Sequence, residues 1–208
     1  MIKLISSFVI VACSLICQSS AAQIKLDGVV KDGEWKNAKA IELFGGGRGY
    51  FKMDGDQLLV ALQGSEKGWA HVYISSGDSV WVRHASAALG QSVYARASSW
   101  SIVEQFNWQL RDRIYDAETE NKMSDYFRSN GWVANNNNIG DGKTLEFKID
   151  LNKYKNKPVY FACFYASDPK QPHYYPLNLK DDTIAEQLVY GNAQASLQFS
   201  PENWVKIR

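Results

Sequence analysis

The chain has 208 residues, 45% of them hydrophobic and 13% aromatic, with 23 basic against 22 acidic side chains. So even a charge balance argues against electrostatic capture of nucleic acid or of an anionic membrane. Only one of the three cysteines, Cys163, lies beyond residue 22, so the rest of the chain has no pair for an intramolecular disulfide and no second thiolate for a zinc site.

The first 22 residues read as a secretory signal. Lys3 supplies the leading charge, Ile5 to Ile16 form a short apolar run, and Ser20-Ala21-Ala22 set small residues before a cleavage point. The run is too short and wrongly flanked to cross a bilayer, and no later stretch is apolar enough, so no membrane span is expected. A lipid anchor is the competing reading. Ile10-Val11-Ala12-Cys13 has the right order but comes early, and Leu15-Ile16-Cys17 puts a bulky residue before the Cys. Residues 23–208 are expected to form one periplasmic or secreted domain. Lys3 is the only charge lost with the leader, so basic and acidic side chains then balance.

Ile24 and Leu26 suggest a short strand. Asp27-Gly28 and Asp32-Gly33 follow as turns, because Asp bonds its own backbone and Gly supplies positive φ. Trp35 and Ala38 are three apart, so one helical turn puts both on one side, and Trp35 is expected to close one end of a sheet. Arg48 to Met53 and Gln57 to Gln63 read as a hairpin around Asp54-Gly55. Trp69 to Ser75, Ser79 to His84 and Gln91 to Ala97 alternate with period two, followed by Trp100 to Val103 and Phe106 to Leu110. Asp116 to Arg128 breaks the rhythm as a short amphipathic helix ended by Asn130-Gly131. Trp132 to Ala134 leads into Asn135 to Asn138, expected as an exposed loop. Late strands are expected at Lys143 to Asp150, Val159 to Ala166 and Gln194 to Ser200. Pro169, Pro172 and Pro176 exclude a central strand between the last two. The pattern predicts an all-β, antiparallel, jelly-roll-like β-sandwich with one short helical insertion. Cys163, in the strand-like run from Val159 to Tyr165, reads as a buried inert thiol.

Three segments carry a resemblance: Ile24 to Leu43 (IKLDGVVKDGEWKNAKAIEL), Tyr50 to Leu62 (YFKMDGDQLLVAL) and Thr144 to Leu151 (TLEFKIDL). Together they resemble the family 9 carbohydrate-binding modules and their DOMON-like sandwich relatives. That resemblance implies a sandwich that hosts sugar binders and haem carriers, in some cases with structural calcium. It leaves Trp69 to Asn138 unmatched. By rough position in that family, Trp69 and the His173-Tyr174-Tyr175 loop correspond to paired sugar-stacking rings.

A sugar site needs flat aromatic faces and a few planar polar groups. Trp69, Tyr174 and Tyr175 are the candidate rings, with Arg83, Asn107 and Gln109 as hydroxyl partners; core packing is the alternative for each ring. His84 and Ser86 suggest a hydrolase pair, but no acid stands ready to fix the imidazole and there is no G-x-S-x-G elbow, so a tightly packed strand end is favoured. Glu104, Asp112, Asp116 and Glu118 are available carboxylates whose pairing needs geometry to judge. Asp54-x-Asp56 and Asn136-x-Asn138 are similar to short pieces of calcium loops but lack the terminal Glu. Met53 and Met123 are the only thioethers past the leader for an axial haem ligand, and no haem-attachment motif is present. The expected function is non-catalytic binding of a carbohydrate or glycan without a required cofactor. An envelope scaffold for protein partners and a b-type haem carrier are the alternatives.

Overall fold

The computed structural model describes residues 24–109, 117–154, 156–181 and 196–208. The expected leader and the first two residues of the expected late strand at Gln194 to Ser200 lie outside them. Two antiparallel sheets pack face to face, so the chain is an all-β sandwich. One sheet has five strands: β1 Lys39–Glu42, β2 Arg48–Asp54, β3 Gln57–Gln63, β9 Thr144–Asp150 and β8 Trp132–Ala134, in the order β1-β2-β3-β9-β8. The other has eight. Its path is β11 His173–Tyr175, β10 Val159–Ala166, β4 Trp69–Ser76, β5 Ser79–Ala85, β6 Ala88–Arg96, β7 Trp100–Gln109 and β12 Ser196–Leu197. The eighth strand, β13 Val205–Lys206, pairs with β10 beside β11.

The inner faces make the main core. Leu58, Val60 and Leu62 of β3 meet Val72 and Ile74 of β4 and Phe161 and Cys163 of β10, all buried. Cys163 is a core residue, and burial pushes its thiol well above the usual range. The single described α-helix, α1 Ala117–Asn130, docks through Phe127 on Trp132 and through Tyr126, which stacks on Phe106 at 3.6 Å.

At β4 and β10 the larger sheet is buried on both faces. Alternation along β4 and β10 therefore separates two apolar sides rather than an apolar and a wet one. Its outer face is closed by the C-terminal segment. β12 sits at one edge and β13 at the other, so the chain between them crosses the face and lays Phe199 against Tyr94 and Trp100 and Trp204 against Tyr73. The Trp100 indole N–H donates to the Phe199 carbonyl at 3.0 Å. The outer face of the smaller sheet is covered by the N-terminal segment in the same way.

That N-terminal cover is locked by one carboxylate. Glu146 on β9 is fully buried, and its oxygens accept the Gly28 N–H at 2.8 Å and the Trp35 indole N–H at 3.3 Å. Trp35 packs on Leu59 and Ala61, with Ala38 in the same cluster, so it covers a face of the sheet and not an end. The turn that holds it donates the Trp35 amide to the Lys31 carbonyl at 3.0 Å. Gly28 has φ +75°, and a Cβ there would lie 2.7 Å from the Ile139 carbonyl oxygen, so both the turn and the close approach need glycine.

Four expectations change. Ile24 and Leu26 form no strand; the first strand is Lys39–Glu42, where Ile41 alone is buried. The two strands expected after Trp100 are one continuous strand, β7. Trp132–Ala134 is an edge strand rather than a lead-in. The asparagine run is not an exposed loop: Asn135 and Asn137 are buried, because their amides replace missing ladder bonds. Asn135 Oδ1 accepts the Glu146 N–H at 2.6 Å, while its Nδ2 donates to the Thr144 carbonyl at 3.1 Å.

Trp35→Ala is expected to destabilise the chain by about 3–5 kcal/mol in a urea melt, the range for a buried tryptophan; unchanged stability would mean the N-terminal cover is not part of the cooperative fold. Burial pushes Glu146 from an ordinary 4.5 up to about 7. The folded chain therefore binds this proton more tightly than the unfolded chain does. Its contribution is complete below 4.5 and is lost as pH rises through about 7. Glu146→Gln, which cannot ionise, should gain on the wild type by about 2 kcal/mol between pH 5 and pH 8. Parallel stability curves over that range would contradict the assignment.

Candidate functional site

One end of the outer face of the larger sheet combines an aromatic ring with neutral polar groups. The register sets a row across five strands: Tyr174 on β11, Phe164 on β10, His71 on β4, His84 on β5 and Gly90 on β6. His71 stacks on Phe164, with ring centroids 5.2 Å apart. Its Nδ1 lies 3.1 Å from the Tyr73 hydroxyl and its Nε2 lies 2.8 Å from His84 Nδ1. His84 Nε2 is 2.8 Å from Ser86 Oγ at the hairpin tip. Three side chains and a tyrosine thus form one hydrogen-bonded line. Burial holds His71 well below the usual imidazole range, with His84 adding to the shift, and burial alone pushes His84 down to about 4. The line is uncharged at neutral pH.

Trp69 opens the neighbouring row. Ala70 pairs with Ala85, so Trp69 and Ser86 are the next residues out on their two strands. Asn137 ties these ends together: its N–H donates to the Ser86 carbonyl at 2.9 Å and its Nδ2 donates to the Gly68 carbonyl at 2.7 Å. The turn before Trp69 is pinned by Tyr165, whose hydroxyl donates to the Glu66 carbonyl at 2.6 Å. A Cβ on Gly64 would lie 2.1 Å from that tyrosine ring, so only glycine fits there. Trp69 is half-buried, and its indole N–H is shielded from solvent without an acceptor among the described residues. Ser86 and His84 are also half-buried, and Ala87 is exposed.

The other expected site residues fall in three places. Tyr174 shares this face but is buried against Phe44, at 5.1 Å between ring centroids, with Phe164 between it and His71. Asn107 stands opposite Gly90 and Gln109 opposite Ala88 in the register, next to the imidazole row; their side chains lie outside the described residues. Arg83 and Tyr175 face the inter-sheet core. Tyr175 lies near Phe51, with ring centroids 6.5 Å apart. Arg83 is buried, donates to the Tyr154 hydroxyl at 2.6 Å and lies 5.9 Å over the Trp132 ring. Its Nε and Nη1 find no acceptor, and Gln91 Oε1 and the Trp132 indole N–H are likewise buried and unpartnered.

The short acidic and amide motifs are engaged in the fold. Asp56 pairs with Arg208 at 2.8 Å, Asn136 Oδ1 accepts the Asn138 N–H at 2.9 Å, and Asn138 Oδ1 accepts Lys67 Nζ at 2.9 Å. Met123 packs against the inter-sheet core, on the opposite side of the larger sheet from His71 and His84. Among the described residues, no three His, Cys, Asp or Glu side chains converge as a metal site. No helix among them is long and apolar enough to cross a membrane. A concavity of about 610 Å³ runs between α1 and β8, with Met123, Phe127, Trp132 and Ala134 as its apolar wall.

Comparison with protein-family models, with curated proteins and with solved structures finds no match.

Arg83 is a buried cation with one hydrogen bond, so its desolvation is poorly offset. Arg83→Met is expected to leave the melting temperature unchanged or raise it. A large loss of stability would show that the guanidinium has a compensating partner within the inter-sheet space.

Proposed function

We propose that this is an exported carbohydrate-binding β-sandwich, periplasmic or secreted, that recognises sugar without cleaving it and whose ligand lies on the outer face of the larger sheet beside Trp69. The observation that carries this reading is the half-buried Trp69 ring next to a line of uncharged polar groups ending at half-buried His84 and Ser86. An indole face suits the apolar side of a sugar ring, and neutral donors and acceptors suit hydroxyl groups. Asn107 and Gln109 stand at adjoining register positions, where planar amides would extend the polar rim. The resemblance of the three quoted segments to family 9 carbohydrate-binding modules supports the same reading. So does the leader-like composition of the first 22 residues, which favours export.

A second reading has its own observation. The groove between α1 and β8 borders a three-residue edge strand whose central Val133 is exposed, which suits a protein partner and an envelope scaffold role.

Titration of the chain with a panel of neutral oligosaccharides, followed by tryptophan fluorescence, tests the first reading. A saturable response is expected, and Trp69→Ala should weaken it at least about tenfold, or about 1.4 kcal/mol, while the chain stays folded. Binding that survives Trp69→Ala would move the ligand elsewhere. No response to any sugar would favour the scaffold.

A further inference from the structure

The line of groups at the β5–β6 hairpin tip also has the parts of a nucleophilic site. Two proton arrangements satisfy its three contacts. In one, Ser86 Oγ–H donates to His84 Nε2, His84 Nδ1–H donates to His71 Nε2, and His71 Nδ1–H donates to the Tyr73 oxygen. In the other every bond reverses, and Ser86 turns its proton to the Ala88 carbonyl at 3.2 Å. The first arrangement is a hydroxyl on a base whose far nitrogen is held by a third group.

We propose that Ser86 is a nucleophile toward small neutral carboxylic esters, with His84 as its general base and His71 as the residue that positions His84. This goes beyond ligand recognition and does not require it. His71 takes the place of the missing acid: neutral His71 Nε2 accepts the His84 Nδ1 proton at 2.8 Å, and Tyr73 fixes His71 in turn. Both imidazoles are kept unprotonated by burial, so His84 is in its basic form at neutral pH. Access is from the tip, where Ala87 is exposed and Ala88 adds little bulk. The Ala87 amide makes no backbone hydrogen bond among the described residues and stands next to the nucleophile, where a developing oxyanion would need a donor.

The step balances without a further reactant. Ser86 Oγ attacks the ester carbonyl carbon and its proton passes to His84 Nε2. The bond to the leaving alcohol breaks, and that oxygen takes the proton from Nε2. Water then adds to the acyl carbon and gives a proton to Nε2. The bond to Oγ breaks, the proton returns to Ser86, and the carboxylic acid leaves. His71 brings no negative charge to the transient imidazolium, so modest rates are expected.

The test is labelling of the full chain with a fluorophosphonate probe, with the adduct mapped by mass spectrometry and p-nitrophenyl acetate cleavage followed in parallel. An adduct on Ser86 of the folded wild type is expected. His84→Gln should slow labelling at least about 100-fold. His71→Phe should slow it comparably, while His71→Gln, whose carbonyl can accept from His84 Nδ1–H, should recover it to within about tenfold of wild type. Melting curves establish that each variant is folded. Sugar binding is read by tryptophan fluorescence and this site by the mapped Ser86 adduct, so failure of one is distinguishable from failure of the other. A folded wild type with no adduct on Ser86 would overturn the proposal, as would labelling of Ser86 that His84→Gln leaves unchanged.

Discussion

The larger sheet is apolar on both faces, and the arrangement of the chain follows from that constraint. Val72, Ile74, Phe161 and Cys163 need one cover, and Tyr73, Val82, Ala162 and Phe164 need another. The smaller sheet supplies the first and the C-terminal segment the second. The smaller sheet then has its own exposed apolar patch at Leu59 and Ala61, which Trp35 closes from the N-terminal side. The two sheets thus sit between covers drawn from opposite ends of the described chain. The Phe44 to Tyr174 bridge, with N–H···O distances of 2.9 and 3.2 Å, links the region after β1 to the β11 edge of the larger sheet.

Several buried polar groups in these layers are held by specific partners. Glu146 is tolerated under Trp35 because two N–H groups reach its carboxylate, although burial still raises its proton affinity. Asn135 and Asn137 replace ladder bonds at the end of the sandwich. Arg83, with two donors unsatisfied beside the unpartnered Gln91 Oε1 and Trp132 indole N–H, marks the inter-sheet region beside α1 as the least complete part of the core. The imidazole line lies on the other face, at the end away from the Phe199 contacts. Its neutrality is a product of the same burial, and the proposed function rests on that neutrality.

Much of this fold is legible in the sequence. Continuous or alternating apolar runs give β3, β4, β5, β9 and β10 nearly to the residue, and Asp54-Gly55 and Gly77-Asp78 give the β2–β3 and β4–β5 turns. The KAIE strand is not legible, because Ile41 is its only inward apolar residue. Nor is the burial of Asn135 and Asn137, since a polar run signals exposure unless its hydrogen-bond partners are known. VYFACFYA shows that its strand is covered on both sides, but not which segment covers it. The site is legible only in part. Trp69 stands out as an aromatic beside a glycine-rich turn. His84 and Ser86 are two apart on a strand and so share a side, but only the pairing of β4 with β5 shows that His71 completes the line. Arg83 falls on the opposite side for the same reason of parity, one position from His84.

The proposed ligand position is the outer face of the larger sheet, at the hairpin end. Nuclear magnetic resonance mapping on the isotope-labelled full chain, titrated with a neutral oligosaccharide, tests that placement directly. The predicted result is a saturable shift of the Trp69 indole N–H and of the Ser86, Ala87 and Ala88 amides, with the Phe127 and Trp132 signals unmoved. Shifts confined to α1 and β8, or none at saturating sugar, would contradict it.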